Sequence, residues 1–536
     1  MVKISKSIFT SIVLLLFFVY GYLLFKNLSH YPFWDDEANT ALYARNLLQS
    51  GELNAFDGRN LLGYSNGIEL NADLNNIIIP PFQYYITAIS FSVFGENNFT
   101  ARLPFALMGL LSFAFFFLIQ RELFKNKGLI LINMIIFTAN VAFILYMRQC
   151  RYYAPTALFF LVNIYLLLRY FKSSNYFYLL AYFLSSFLLF ISQYNAALAI
   201  LFVLAISYGY AEQWKLKKRK VLAFILTNSM LLLAIGAFLY LNNPFENASA
   251  YSSQGFNLPY KFYVFYRGLL SFDRFAILSF PLVIFFFYFQ RKQKNPDLKG
   301  ISNLLLFFLL NLFVFSFFSV KFAARYIIYL FPVAFMIEGY VIKGIWRWPT
   351  KYARYIASGF LIVLILSSAL FVSTEKEAEL ELLNIKVNSP LLAYVDEIHS
   401  EHPTNYSKLI DFLNSKTARN QKVAIFPVFM SCPLIYYTGN QYLFINQIGR
   451  EKKIKKKLPE YVFNNSTDPD YLIICGPDIK NKQQILQQFH SMYEFAELID
   501  FYYKDTTRPE FNWRHFDVYE SYDPQTEAIY IFTKVI

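Results

Sequence analysis

The recurrence of apolar segments long enough to cross a lipid bilayer is what most constrains the fold of this 536-residue chain. Such segments recur between Ile8 and Val372, and each needs about 20 residues to span the hydrocarbon. Composition agrees, because 56% of the residues are hydrophobic and only 16% are charged. We predict a polytopic α-helical membrane domain over residues 1–373 and a soluble α/β domain over residues 374–536.

Short basic clusters between the apolar segments predict how the chain crosses the membrane. Lys and Arg concentrate in the cytoplasmic loops of membrane proteins, so each cluster is placed inside. The N-terminus is then cytoplasmic, because Lys3 and Lys6 precede the first apolar segment. With that segment, about eleven crossings are expected, and at most about thirteen if marginal segments also cross. The later crossings are predicted at residues 103–121, 128–147, 154–170, 176–192, 195–210, 220–241, 274–290, 301–319, 325–345 and 354–373.

The apolar run at residues 77–94 is not expected to cross. Pro80 and Pro81 stand near its start and its length is marginal, so an interfacial or re-entrant helix is predicted. The loop 27–76 and the domain 374–536 then both lie in the periplasm. The first run, Ile8 to Phe25, is too long for the core of a cleaved signal peptide, so we interpret it as a retained span.

Three adjacent carboxylates follow the first span. Asp35, Asp36 and Glu37 precede a segment, Ala38 to Gln49, whose apolar residues have a helical period. The helix dipole favours negative charge at this end, so one interpretation is a solvated acidic cap. The other is chemistry, because ionisable groups crowded close to hydrocarbon usually serve a function, here proton abstraction or metal binding.

The order and spacing of short motifs from Asp36 to Pro104 resemble the N-terminal part of superfamily C glycosyltransferases. More narrowly, they are similar to the branch of the aminoarabinose–lipid A transferase and the protein O-mannosyltransferases, glycosyltransferase family 39. The likeness extends loosely to the number of spans and to the external first loop and C-terminal domain. The motifs are Asp36-Glu37, Tyr43-Ala44-Arg45, Gly51, Pro80-Pro81-Phe82-Gln83-Tyr84-Tyr85, Phe94-Gly95 and Ala101-Arg102-Leu103-Pro104.

The resemblance implies transfer of a sugar from a polyprenyl-phosphate donor to a lipid or protein acceptor, at the outer face of a bacterial inner membrane. Asp36 matches the catalytic aspartate, which deprotonates the acceptor hydroxyl as it attacks the anomeric carbon and inverts it. Glu37 matches the neighbouring acid, and Asp35 completes the candidate catalytic group. The chain departs from the family at Asn39, where Arg is frequent, and at Ile79, where Lys or His often helps hold phosphate.

Cations outside the membrane are the candidates for binding the donor phosphate. Arg148 and Arg151 follow one predicted span at its outer end, and Lys321 and Arg325 lie at the outer end of another. Arg suits two-pronged phosphate contacts, whereas Lys acts as a point charge. The alternative is that these side chains extend to lipid headgroups. Their position on the face of the acidic loop favours phosphate, with Arg325 and Arg148 as the leading candidates.

Tyr84, Tyr85 and Asp73 are predicted to line the substrate site. The two tyrosines suit hydrogen bonds to phosphate or a lipid groove, although aromatic packing at the interface also explains them. No cofactor is expected, and a divalent metal is not favoured, because neighbouring helical residues point in different directions. The net charge is +13, but the Lys and Arg residues concentrate in short loops between apolar segments, as expected of a membrane protein. Nucleic acid is therefore not expected as a partner.

The polar C-terminal segment alternates strand and helix patterns. Strands are predicted at Lys422–Val428, Tyr471–Cys475, Glu494–Tyr503 and Ala528–Lys534. This alternation indicates a small α/β domain with a mainly parallel sheet. In an oxidising compartment, Cys432 and Cys475 have the option of pairing.

Other functions remain open beside transfer of a single sugar. Transfer of an assembled oligosaccharide to protein is the alternative within the same family. A lipid or sugar transporter is expected to carry an internal repeat and polar residues near the bilayer midplane, and we find no repeat. An envelope scaffold leaves the acidic loop and the outer arginines unexplained.

Overall fold

The computed structural model describes most of the membrane domain and the core of the C-terminal domain. The described residues are 5–62, 70–71, 73–76, 78–210, 218–243, 257–275, 298–319, 324–347, 350, 352–366, 390–399, 404–418, 421–442, 468–499 and 528–535.

Helices make up the first part of the chain. Within the described residues of the membrane domain they are α1 (Lys6–Phe25), α2 (Asp35–Ser50), α3 (Phe82–Phe94), α4 (Asn98–Leu123), α5 (Lys127–Ala139), α6 (Val141–Arg148), α7 (Tyr153–Ser173), α8 (Phe177–Ser192), α9 (Tyr194–Tyr210), α10 (Lys218–Asn242), α11 (Leu258–Phe275), α12 (Leu298–Phe318), α13 (Phe331–Trp346) and α14 (Ala353–Leu366). A 3₁₀ helix, Ala324–Leu330, leads into α13.

The membrane-spanning character predicted from the apolar runs is confirmed. Five described helical segments are long and apolar enough to cross a membrane, or six if α5 and α6 count as one span. Shorter apolar helices accompany them, and α3, with 13 residues, is too short to cross upright. The expected total of about eleven spans stays a prediction. Residues 276–297 lie outside the described part, so most of the span predicted at 274–290 does too.

A bend divides the crossing that the sequence predicts over residues 128–147. The axes of α5 and α6 differ by 59° across Asn140. The Asn140 side chain accepts a hydrogen bond from the backbone N–H of Phe143, so it caps α6. An asparagine cap competes with continuation of the preceding helix, so the apolar run forms two helices, and this bend was not predicted.

The break predicted at Gln193 is confirmed. Helix α8 ends at Ser192 and α9 begins at Tyr194. The Gln193 amide donates a hydrogen bond to the backbone carbonyl of Tyr326, 3.1 Å away. The break therefore ties the α8–α9 pair to the 3₁₀ helix that carries Arg325.

Aromatic side chains fill the core of the membrane domain. Phe137 of α5 is fully buried, stacks on Phe116 of α4 at 4.8 Å and meets the edge of Phe143 of α6 at 4.9 Å. Gly109 of α4 allows the close approach of α6, because a Cβ there would lie 2.7 Å from the Met147 Cβ. Helix α6 is thereby held against α4 with its last residue at the end of α1.

The C-terminal domain contains a mixed sheet flanked by helices. Its described helices are α15 (Pro390–Glu397), α16 (Asn405–Lys416), α17 (Ser431–Tyr437) and α18 (Lys482–Leu486), and its strands are β1 (Lys422–Phe426), β2 (Gln441–Tyr442), β3 (Tyr471–Cys475), β4 (Tyr493–Ile499) and β5 (Ile529–Lys534). The strand order is β2-β1-β3-β5-β4. The four predicted strands are present.

The sheet is not mainly parallel, which corrects the expectation. Strand β1 pairs in parallel with β2 and β3, whereas β5 pairs antiparallel with both β3 and β4. The two β strands on the antiparallel side come from the last part of the chain, so the βα alternation predicts only the first half of the sheet. All three cysteines lie in the described part of the chain, where each is buried, and no disulfide joins Cys432 to Cys475.

Candidate active site

The acidic residues form the first turn of α2. Trp34 precedes the helix in an extended conformation, and Gly51 ends it in the left-handed region with φ of 78°. All three carboxylates lie in this first turn, where the helix dipole favours negative charge. They are 0–1% exposed, so the solvated acidic cap considered from the sequence is wrong.

Asp36 lies between two arginines. Its Oδ1 is 3.1 Å from Nη2 of Arg151, and its Oδ2 is 3.7 Å from Nη2 of Arg325. Arg151 also donates to the hydroxyl of Thr40, one turn further along α2, at 3.3 Å. The side chain of Arg325 is 20% exposed and that of Arg151 is 5% exposed, so this ion-pair cluster is more accessible from the Arg325 side.

The guanidinium of Arg325 is held over two aromatic rings. Its Cζ lies 5.6 Å from the ring centre of Trp34 and 5.6 Å from that of Tyr326. Arg stacks well on such rings because its charge is delocalised over a plane. The anchored 3₁₀ helix and the residue before the acidic turn thus set its position together.

Arg151 is positioned by the short turn between α6 and α7. The backbone N–H of Tyr152 in this turn donates to the side-chain oxygen of Gln83 in α3, at 3.0 Å. Burial opposes the positive charge of Arg151, but the Asp36 carboxylate outweighs it and raises the pKa of Arg151 above its ordinary value. Arg151 therefore keeps its charge beside Asp36.

Glu37 is bound on both oxygens by other parts of the membrane domain. Arg102 of α4 donates to Oε1 at 2.9 Å and to Oε2 at 2.6 Å, and the backbone N–H of Cys150 donates to Oε1 at 3.0 Å. Arg102 also donates to the carbonyls of Leu28 and Tyr31. Glu37 is thus an anchor that joins α2 to α4 and to the Arg151 turn.

The partner of Glu37 was not predicted. Arg102 was noted only as part of the Ala101-Arg102-Leu103-Pro104 motif. The pairing of Glu37 with Arg102 cannot be predicted from sequence spacing, since 65 residues separate the two. The motif itself was the available signal.

Arg148 is placed at the end of α1. Its guanidinium donates to the carbonyls of Leu23 and Asn27, at 2.9 and 3.1 Å, and to the hydroxyl of Tyr394 at 2.5 Å. Arg151 and Arg325 therefore lie beside Asp36, whereas Arg148 contacts the end of α1 and Tyr394 instead. Lys321 lies outside the described residues.

The predicted lining residues differ in burial. Tyr84 is fully buried, and its hydroxyl donates to Asn39 and accepts from Asn76, each at 3.3 Å. Asn39, which stands where the family often has Arg, thereby joins α2 to α3. Tyr85, the next residue of α3, is 49% exposed. Asp73 is exposed in an open surface cleft.

The carboxylates of the acidic turn do not converge on one point. Asp35 accepts a hydrogen bond from Tyr406 of the C-terminal domain, whereas Asp36 and Glu37 face different arginines. Within the described part of the chain, no group of three or more His, Cys, Asp or Glu side chains is arranged to hold a metal ion. The contacts of the described acidic turn are therefore ion pairs and hydrogen bonds within the protein.

Comparison with known proteins gives a match to one family model and to one relative, each over part of the chain. Residues 79–238 match the family model of dolichyl-phosphate-mannose-protein mannosyltransferases. An uncharacterized protein of Aquifex aeolicus (strain VF5) is 29% identical over 151 residues, which is 28% of this chain and 28% of that protein.

Three solved structures share the fold. ArnT from Cupriavidus metallidurans in the apo state has a TM-score of 0.53 at 12% identity, covering 98% of this chain and 97% of its own. The same protein bound to undecaprenyl phosphate has a TM-score of 0.51 at 12% identity, with the same coverage. The oligosaccharyltransferase of Archaeoglobus fulgidus in the apo form has a TM-score of 0.51 at 11% identity, covering 82% of this chain but only 64% of its own.

The fold and the matched segment agree with the motifs read from the sequence. The likeness to ArnT extends over nearly the whole chain, including its C-terminal domain, while the family match covers α3 to α10. The chain is a multi-pass membrane protein whose residues 79–238 resemble the dolichyl-phosphate-mannose-protein mannosyltransferases and whose fold resembles that of ArnT.

Proposed function

We propose that the chain transfers a sugar from a polyprenyl-phosphate donor to a lipid or protein acceptor at the periplasmic face of a bacterial inner membrane. The observation that carries this proposal is the buried Asp36 between Arg151 and Arg325. A carboxylate and two guanidinium groups are what a displacement at a sugar phosphate needs: a proton acceptor and positive charge for the leaving group.

Asp36 is the proposed base. The acceptor hydroxyl gives its proton to the Asp36 carboxylate while its oxygen forms a bond to the anomeric carbon. The bond between that carbon and the phosphate oxygen breaks, and the electron pair stays on the polyprenyl phosphate. A single displacement of this kind inverts the anomeric carbon, as expected from the resemblance.

We propose that Arg325 binds the donor phosphate, because its side chain is less constrained than that of Arg151. Its contact with Asp36 is 3.7 Å, longer than the 3.1 Å contact of Arg151, and it is the more exposed of the two. A long ion pair is weaker than a hydrogen-bonded one, so Arg325 loses little when it turns to phosphate. Arg151, buried and bonded to Thr40, then remains to orient Asp36.

The similarity to ArnT supports the donor class. That protein was solved with undecaprenyl phosphate, a polyprenyl phosphate, and this chain shares its fold over nearly the full length. The acceptor is either a lipid or a protein, and transfer of an assembled oligosaccharide remains the alternative within the family. The N-terminus is placed in the cytoplasm, and the acidic turn and C-terminal domain in the periplasm.

Asp36→Asn tests the proposal directly. Cells lacking the chromosomal copy are complemented with wild type, Asp36→Asn or Glu52→Gln, an exposed carboxylate of the same loop as a matched control. Polyprenyl-phosphate sugars and envelope glycans are then compared by mass spectrometry at equal membrane levels of protein. We expect Asp36→Asn to lose one glycan modification and to accumulate one lipid-linked sugar, while Glu52→Gln resembles wild type.

Unchanged profiles in Asp36→Asn would favour a different function. If Asp36→Asn leaves both lipid and glycan profiles unchanged, Asp36 is not the base, and a transporter or scaffold takes precedence. An accumulating donor that carries several sugars would identify transfer of an oligosaccharide. The mass of the accumulating species also gives the composition of the sugar, such as hexose or pentose.

A further inference from the structure

The C-terminal domain contacts the acidic turn through a buried phenol. Tyr406 lies in the first turn of α16, and its hydroxyl donates to Oδ1 of Asp35 at 2.8 Å. Asp35 is 1% exposed and Tyr406 is 9% exposed, although 371 residues separate them in the chain. A capping box between Thr404 and Ser407 fixes the start of α16, and with it the position of Tyr406.

A second phenol holds the segment just before Asp35. The hydroxyl of Tyr437, at the end of α17, accepts from the backbone N–H of Phe33 at 2.8 Å and donates to Asn98 at 2.6 Å. The ring of Phe33 meets the edge of Tyr436 with centres 4.9 Å apart. The C-terminal domain thus contacts residues 33 and 35, which lie just before Asp36 in the chain.

A third phenol anchors the end of α1. The hydroxyl of Tyr394 donates to the carbonyl of Leu23 at 2.6 Å and accepts from Arg148. Burial raises the pKa of Tyr394 to about 12, so this hydroxyl keeps its proton at neutral pH. The contacts of the domain with the membrane helices are therefore specific hydrogen bonds at buried positions.

Asp35 is the contact closest to the chemistry. Its peptide bond leads directly into Asp36, so a change in the orientation of Asp35 rotates the first turn of α2. Small displacements of a catalytic group lower turnover strongly, because the reacting atoms must be aligned within a fraction of an ångström. The other two phenols hold backbone that lies further away.

We propose that Tyr406 is a positioning residue for the transfer reaction, through which the C-terminal domain orients Asp36 by holding Asp35. The proposal rests on the function proposed above. It assigns the domain a part in the active site, whereas the sequence offered no residue for such a part.

Tyr406→Phe removes only the hydroxyl that meets Asp35. Tyr493→Phe is the matched control, because the Tyr493 hydroxyl makes a hydrogen bond of the same 2.8 Å length, to Pro469 within the C-terminal domain. We expect Tyr406→Phe to reduce glycan modification in complemented cells by about tenfold, as misalignment of a base predicts. Tyr493→Phe is expected to retain wild-type modification.

Two measurements on the purified full-length chain separate positioning from general damage. Binding of undecaprenyl phosphate should change by less than about twofold in Tyr406→Phe, because the phosphate ligands are untouched. Hydrogen–deuterium exchange should rise in the peptide that contains Ala38 and Asn39 in Tyr406→Phe and stay unchanged in Tyr493→Phe. A double-mutant cycle with Asp35→Ala should be non-additive, since either change removes the same bond.

The outcomes are distinct. If Tyr406→Phe modifies glycans like wild type while Asp36→Asn does not, the proposed function stands and the positioning role is wrong. If Asp36→Asn is also fully active, the function itself fails. Equal losses in Tyr406→Phe and Tyr493→Phe, or additive losses with Asp35→Ala, would likewise overturn the role.

Discussion

The ion pair of Glu37 with Arg102 shows how the acidic turn divides its tasks between neighbouring residues. Both side chains are nearly inaccessible, at 0% and 4%, and the pair uses two parallel hydrogen bonds. Removing one partner of a buried pair leaves an uncompensated charge, which costs more than replacing both partners together. Glu37 is therefore expected to act on stability, in contrast with Asp36.

Glu37→Gln should lower the free energy of unfolding by about 3–5 kcal/mol, because Arg102 is left charged in a buried site. Thermal unfolding in detergent is followed with a thiol-reactive dye, since all three cysteines are buried in the folded chain. The double variant Glu37→Gln/Arg102→Met should recover part of the loss. A double variant less stable than Glu37→Gln alone would contradict this account.

Arg325→Ala should weaken binding of undecaprenyl phosphate by about tenfold or more, since a hydrogen bond to a charged group contributes about 1.5–3 kcal/mol. Binding is measured on the purified chain by a competition assay with a fluorescent polyprenyl phosphate. Arg45→Ala is the control, because Arg45 pairs with Glu96 away from Asp36. Unchanged binding in Arg325→Ala would remove Arg325 from the phosphate site.

Among elements, the bend between α5 and α6 carries the most consequence for the site. Helix α6 ends at Arg148, and the next residues form the turn that presents Arg151 to Asp36. The cap at Asn140 therefore determines where this turn lies. A single straight helix would carry Arg148 and Arg151 in another direction.

Asn140→Ala removes the cap of α6 and should lower the free energy of unfolding by about 1 kcal/mol. Asn140→Ser keeps a side-chain acceptor for the backbone N–H of Phe143 and should retain most of the stability. The same thiol-dye unfolding assay compares the two. If Ala and Ser variants are equally stable, the cap does not hold the bend.

Most elements whose signal is local were predictable from the sequence, and those that depend on distant partners were not. The break between α8 and α9 and strand β3 follow from nearby residues, and both are present. The antiparallel placement of β5 depends on distant partners. The 59° bend at Asn140 was missed although the asparagine that caps α6 is a local signal. In the candidate site, the acidic turn and two arginines were predicted, but Arg102 and Tyr406 become partners only through folding.

For the whole molecule, the proposed orientation places the acidic loop and the C-terminal domain on the same side of the membrane. The hydrogen bond between Tyr406 and Asp35 requires this, because both groups are buried in one contact. Basic clusters of the loops mark the other side.

Asp73→Cys and Asp411→Cys, at exposed positions in the loop and the domain, should react with an impermeant maleimide in intact spheroplasts. Lys125→Cys, exposed between α4 and α5, should react only after lysis. Wild type provides the background, since its cysteines are buried. Labelling of Lys125→Cys in intact spheroplasts would reverse the orientation.

The contact between residues 35 and 406 forms only late in the synthesis of the chain. Asp35 leaves the ribosome early, whereas Tyr406 is synthesised 371 residues later. At the usual rate of synthesis this interval is about 20–70 s, during which the first helices are already inserted. In the proposed orientation, the membrane domain waits for the C-terminal domain to be exported before Tyr406 reaches Asp35. We therefore expect an interrupted or unexported chain to be inactive in the membrane.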